Sequence, residues 1–208
     1  MKGFILKINR AKNEDLVVKI LTSKSIIVGY RFYGARHSIL QLGYLIDFEI
    51  EQDKANFLPR IRSISHIGFP WLYDRQKLFI WHQYIGMFSS HFHDVGDIDI
   101  FYYDKLLEIA KKWEKQSSYR LIVESFVDIL KFEGRLHNID RCMICSQRIE
   151  DENINLIKGF LPTHTHCSNS FLISKKEAEE LFKFSSTLNL NDEIVEGLYK
   201  IVLKGTGI

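Results

Sequence analysis

No apolar run in the 208-residue chain approaches the roughly 20 residues that cross a bilayer, so no membrane span is expected. The opening Met1-Lys2-Gly3-Phe4-Ile5-Leu6-Lys7 meets charge too early for a signal-peptide core. There is no phosphate-binding G-x4-G-K-[ST] loop and no G-x-S-x-G nucleophile elbow. Gly-x-Gly occurs only in Gly205-Thr206-Gly207. Nothing assembles a nucleophile, a base and an oxyanion site, so the protein is expected not to be an enzyme. Cysteine is scarce, and the count of 3 is odd. Without a secretory signal that favours a reducing cytoplasm, where cysteines hold metal more often than they form disulfides. Internal repeats, low-complexity tracts and disordered linkers are also missing. At 46% hydrophobic and 26% charged, what remains is an ordinary globular composition.

The net charge of +2 is unevenly spread. Residues 1–70 carry 11 Lys/Arg against 6 Asp/Glu, residues 71–135 carry 9 against 10, and residues 136–208 carry 8 against 10. A basic first third suggests a module that faces a polyanion. That third reads as β-structure, with runs at 4–8, 16–21, 26–32, 44–50 and 60–67 separated by polar turns. Five short strands in about 70 residues suit a small barrel such as an OB-fold. The character changes at Gly68-Phe69-Pro70. Helices are expected from Trp71 to Phe92, from near Asp97 or Asp99, from a cap at Ser117, from a capping box at Ser174-x-x-Glu177, and from a cap at Asn191. The expected fold class is therefore α+β. An OB-fold barrel (1–69) precedes an α-helical domain (70–208) with a knuckle-like insertion at about 140–170.

All three cysteines lie in that insertion. Cys142 and Cys145 form C-x2-C, and 18 residues later His164 and Cys167 form H-x2-C, with His166 as a spare imidazole. Two knuckles of soft ligands can close a tetrahedral Zn2+ site, and a closed structural zinc contributes on the order of 10 kcal/mol to folding. The bland alternative is three buried thiols. A catalytic zinc would need an open position and a base, and no H-x-E precedes the C-x2-C. The rival enzyme reading is a zinc-dependent hydrolase or deaminase using Glu133 or Asp140 as base. A second metal candidate, His82, His91 and His93 with Asp94, Asp97 and Asp99, flanks a helix junction where polar caps are expected anyway.

Tyr30-Arg31-Phe32-Tyr33-Gly34-Ala35-Arg36-His37 mixes cations and aromatics around a glycine turn. Aromatic faces stack on unpaired bases while Arg and Lys contact phosphates. Lys7, Lys19, Arg31, Arg36, Arg60 and Arg62 are the candidate DNA contacts and Tyr33 the candidate stacking residue, with Lys2, Arg10 and Lys12 as extensions. The competing reading has Tyr30 and Phe32 filling the barrel while the cations are merely solvated.

Taken in order, several segments resemble the RecO family of recombination mediators. Gly3-Phe4-Ile5-Leu6-Lys7 and Asn13-Glu14-Asp15-Leu16-Val17-Val18-Lys19-Ile20-Leu21-Thr22 are similar to its opening, and Tyr33-Gly34-Ala35-Arg36-His37 to its basic G-A-R segment. Phe57-Leu58-Pro59-Arg60-Ile61 and Ile67-Gly68-Phe69 stand where its closing barrel strand would be. Phe126 to Gly134, leading into Asp140-Arg141-Cys142-Met143-Ile144-Cys145, is similar to the passage before its first zinc knuckle. The resemblance covers nearly the whole chain through the order of degenerate motifs. It implies an OB-fold, a helical domain and, in many members, a four-cysteine zinc site. It also implies binding of single- and double-stranded DNA, annealing, and action with RecR to load RecA onto DNA coated by single-stranded DNA-binding protein, in the cytoplasm at the nucleoid. The chain departs in having His164 at the first position of the second knuckle and in ending the basic segment at Arg36-His37-Ser38. A scaffold that binds only protein is the blander alternative.

Overall fold

A computed structural model describes residues 1–36, 39–52, 58–92 and 96–204. His37, Ser38, Phe57, His93, Asp94 and the Gly205-Thr206-Gly207 tail, singled out above, lie outside the described residues. Two compact units divide between Glu114 and Lys115.

In the first unit β1 (Lys2–Arg10), β2 (Leu16–Thr22), β3 (Ile26–Arg31), β4 (Leu45–Glu51) and β5 (Arg60–Ile67) close a barrel in the order β1-β2-β3-β5-β4. Every pairing is antiparallel except β3 with β5, where Tyr30 faces Arg60. All five strands lie where the β-branched runs predict them, and the mixed α+β class holds. Period-two alternation sends Ile5, Leu16, Val18, Ile20, Ile46, Phe48 and Ile61 into one core. Val17, Lys19 and Val28 point outward. The β3–β5 seam depends on Gly29, since a Cβ there would stand 2.6 Å from the Ile61 side chain.

The strand-to-helix change falls at residue 70 as expected, and two helices pack with the barrel in the same unit. Pro70–Tyr73 forms a tight 3-10 turn that buries Trp71, so the helix predicted from Trp71 begins later, as α1 (Arg75–His91). Asp74 caps it, accepting from the Gln76 and Lys77 amides. α2 (Ile100–Lys112) starts from Asp99, whose carboxylate accepts from the Phe101 amide at 2.8 Å. Trp71, Trp81 and Trp113 form one aromatic cluster with ring centroids 5.0 to 5.9 Å apart. Buried indole N–H groups require acceptors. Trp71 donates to the Ala110 carbonyl at 2.8 Å and Trp81 to Gly43 at 2.9 Å. The second bond joins α1 to the turn before β4, where Gly43 has φ +76°.

The second unit contains α3 (Ser118–Phe132), α4 (Lys175–Phe184) and α5 (Asp192–Lys204). Leu121, Ile122, Phe126, Ile129 and Leu130 face inward as predicted from their spacing. Ser117 occupies the N-cap of α3, but its side chain makes no capping bond. The Ser174/Glu177 capping box forms in full, and Asn191 accepts from the Ile194 amide at 2.8 Å. This unit is not purely helical. A three-stranded antiparallel sheet, β7-β6-β8, is built from β6 (Asn153–Ile157), β7 (Leu161–Thr163) and β8 (Phe171–Ser174). Strands of 3 to 5 residues leave too short a period to stand out among knuckle residues. Phe160, in the turn between β6 and β7, is fully buried and packs edge-on against Phe126 at 5.0 Å. Among the described residues no helix is long and apolar enough to cross a membrane.

Candidate nucleic-acid surface and metal centre

The barrel's expected contacts fall into three groups. The first lies at one end of the barrel, where two short turns meet. Lys12–Glu14 links β1 to β2, and Gly34–Arg36 follows β3. Asp15, only 5% exposed, joins these segments by accepting from the Tyr30 hydroxyl and from the Tyr33 amide at 2.6 Å. That bond holds Tyr33 at φ +50°, with the residue 51% exposed. The hydrogen bond to Asp15 is also the main reason that the Tyr30 phenol is raised above its ordinary pKa. Arg36 pairs with Glu14 and lies 4.8 Å over the Tyr33 ring. Phe32 packs edge-on against Tyr30 at 5.0 Å, and Arg60 lies 4.9 Å over the Phe32 ring. Arg60, Phe32, Tyr30, Tyr33 and Arg36 thus form one edge in which three aromatic rings stand between two cations.

A second group has structural work. Arg31 is half-buried and donates to the Ile61 carbonyl at 3.0 Å, fastening the end of β3 to β5. Lys19 is half-buried and donates at 2.5 Å to the Phe92 carbonyl at the C-terminus of α1. The third group stands apart from the edge. Lys7 is exposed on β1, opposite Lys19 in register. Arg62 on β5 bonds Glu51 of β4 at 2.7 Å, and β4 also carries Asp47 and Glu49. The seven residues therefore do not make one uniform patch.

Two participants escaped the sequence reading. Phe32 is 46% exposed and does not fill the barrel. Asp15, which organises the edge, was legible only as one acid in a polar turn. Nothing local distinguishes it from Glu14, because its role depends on Tyr30, fifteen residues away.

In the second unit the four expected ligands converge. Cys142 Sγ, Cys145 Sγ, His164 Nδ1 and Cys167 Sγ lie within 4.8 Å of one another. The Cys145 and Cys167 sulfurs are 3.4 and 3.7 Å from His164 Nδ1. Tetrahedral Zn–S and Zn–N bonds would separate sulfur from nitrogen by about 3.5 Å, so the set fits zinc. His164 Nε2 lies 3.0 Å from the Arg148 carbonyl. A proton on Nε2 donated to that carbonyl leaves Nδ1 unprotonated and facing the sulfurs, the usual arrangement of a ligating imidazole. His166 stacks on His164 at 4.8 Å but does not join the group.

The knuckle forms because C-x2-C closes a tight turn, with the Ser146 amide donating to the Cys142 carbonyl at 2.9 Å and Ser146 at φ +61°. The Met143 amide donates to the Pro162 carbonyl at 2.9 Å and ties this turn to β7. Burial acts to raise the Cys142 thiol, but N–H groups of Cys145, His164 and Ile144 together bring it down to about 6. Burial, then the Cys145 and Cys142 sulfurs, push the Cys167 thiol up to about 11. Three crowded thiolates repel one another, and a divalent cation removes that repulsion.

The carboxylates of the rival hydrolase reading are engaged elsewhere. Asp140 bonds Lys175 at 2.7 Å, which holds its carboxyl below the usual range, and Glu133 bonds Arg135 at 3.0 Å. At the other histidine candidate, His91 packs against Phe92 and Tyr102, and Asp99 caps α2. Among the described residues only the Cys3His set forms a group able to hold a metal.

Residues 1–72 match the family model described as RecO N terminal. No curated protein matches the chain.

Proposed function

We propose, from a chain whose first 72 residues match the RecO N-terminal domain and support its assignment to the RecO family, that it is a non-enzymatic mediator of DNA recombination and repair. Its barrel binds single- and double-stranded DNA. The observation that carries this reading is the edge formed by Arg60, Phe32, Tyr30, Tyr33 and Arg36. It lies beside the turn between β1 and β2, a region with which OB-folds engage oligonucleotides. Phe32 and Tyr33 stack on unpaired bases while Arg36 and Arg60 contact the phosphates between them. Stacking is tolerant of sequence, so affinity comes mainly from charge and falls as salt rises.

From the same family assignment follow annealing of complementary strands, action with a RecR-type partner, and loading of RecA onto DNA coated by single-stranded DNA-binding protein, in the cytoplasm at the nucleoid. Cys142, Cys145, His164 and Cys167 hold a structural Zn2+ that cross-links the knuckle to the sheet. When bound, the metal supplies that cross-link and no reaction step.

The test is fluorescence anisotropy of labelled single-stranded DNA over a salt series. Removing two phosphate contacts in Arg36→Ala/Arg60→Ala should reduce the slope of log affinity against log salt by about 1.4. Phe32→Ala should weaken binding about tenfold, the size of one stacking contact. A wild-type affinity that ignores salt would sink the phosphate-contact reading.

A further inference from the structure

A cavity of about 250 Å³ opens in the second unit between the end of α3 and the β6–β7 hairpin. Leu130, Ile157 and Leu161 supply its apolar surface, and Arg135, His137 and Lys158 its polar one. No carboxylate lines it. Both walls are tied by local hydrogen bonds and packing. α3 ends at Gly134 with φ +65°, and the Arg135 and Leu136 amides both donate to the Leu130 carbonyl, at 2.8 and 3.1 Å. The hairpin turns at Gly159 with φ +72°, and Phe160 beside it anchors the turn in the core. Glu133, whose side chain is only 11% exposed, holds Arg135 through Nη1 at 3.0 Å. A guanidinium has five N–H donors, so this bond positions Arg135 without exhausting it.

We propose that this cavity is a second nucleic-acid site, holding one nucleotide of a single strand. The base lies on Leu130, Ile157 and Leu161 with the His137 imidazole as a stacking face, and Arg135 and Lys158 take its phosphate. The volume is below the roughly 300–1,000 Å³ of pockets for drug-sized ligands, so it suits one ring rather than an extended chain. Planar His and Arg groups beside a small apolar floor match the chemistry by which unstacked bases are held. The cavity contains none of the residues assigned to the barrel edge or the metal centre. The proposal rests on the nucleic-acid reading above, and it gives a protein that anneals strands a second place to hold one.

The test is an NMR titration of the full-length protein with thymidine monophosphate, inorganic phosphate, or an acidic peptide bearing one aromatic side chain. The nucleotide should shift the amides of His137, Lys158 and Gly159, with phosphate alone acting more weakly. Lys158→Glu and His137→Ala, both exposed and outside the core, should each weaken the nucleotide about tenfold and leave the remaining spectrum unchanged. Shifts with the peptide but not the nucleotide would overturn the proposal in favour of a peptide pocket, and no shift with any ligand would overturn it outright. If Lys158→Glu loses nucleotide binding while Arg36→Ala/Arg60→Ala leaves strand affinity unchanged, the cavity stands and the barrel reading fails. The reverse pattern leaves the barrel and removes the cavity.

Discussion

The barrel edge and the cysteine–histidine centre arrange polar side chains on opposite principles. At the edge, Arg36 and Arg60 lie over the Tyr33 and Phe32 rings, and both rings are about half exposed. At the centre, four ligand atoms converge on a point, and the Cys142 and His164 side chains are buried. A convergent site requires particular residue types at particular spacings, so substituting one ligand disables it. A distributed site sums many weak contacts and tolerates the loss of any one. Substitutions should therefore have steep effects at the centre and shallow ones at the edge.

The largest effect is expected from Cys145→Ser, or from chelation of the wild type. Either should lower the melting temperature of the second unit and broaden NMR signals across residues 140–174, with barrel signals unchanged. A structural zinc is worth on the order of 10 kcal/mol, so a chelator with no effect on stability would show that the ligands hold no metal. Asp15→Asn comes next. The barrel should lose about 2 kcal/mol as bonds from Tyr30 and Tyr33 to a charged acceptor become neutral ones, measured by urea unfolding. DNA affinity should fall as well, although Asp15 is itself an anion. A gain in affinity would show instead that its charge merely repels phosphate.

The effect of pH is smaller and concerns the first unit. Burial lowers the pKa of both His82 and His66 below the ordinary 6.5. His82 Nε2 is buried without a hydrogen-bond partner, and His66 stacks on Tyr44 at 4.2 Å. Folding favours their neutral forms. Their contribution is fully present above the unfolded pKa near 6.5 and is lost as pH falls through the lower folded values. Stability measured at pH 7, 6 and 5 should fall in that order, and His82→Gln should flatten the decline. The smallest effect belongs to His166→Ala. Because His164 Nδ1, and not a His166 nitrogen, lies among the sulfurs, zinc content by atomic absorption should match wild type, whereas His164→Ala should lose affinity.

Legibility differed between these regions for physical reasons. Barrel strands announce themselves through period-two alternation, and helix starts through local caps such as Asp99, Ser174 and Asn191. The three short strands of the second unit did not, although Asn153-Ile154-Asn155-Leu156-Ile157 alternates once the sheet is known, with Ile154 and Leu156 fully buried. The metal ligands could be named from spacing alone, but the choice between His164 and His166 could not, because it depends on the Arg148 carbonyl. Among the cations, sequence could not separate Arg31 and Lys19 from Arg36 and Arg60. Residue type does not tell which cation is fastened to the fold, because the bonds of Arg31 and Lys19 to the Ile61 and Phe92 carbonyls are contacts between segments distant along the chain.

By itself, then, the sequence determined the barrel strands and the helices, the barrel's inward face and the clustered thiols of the candidate metal centre, since each follows from local periodicity or spacing. Tertiary structure alone decided which cations face solvent, that Phe32 is exposed, that Asp15 ties the edge together, and that Arg135, His137 and Lys158 share one cavity. Each of these depends on groups distant along the chain, whose separation in space no local pattern encodes.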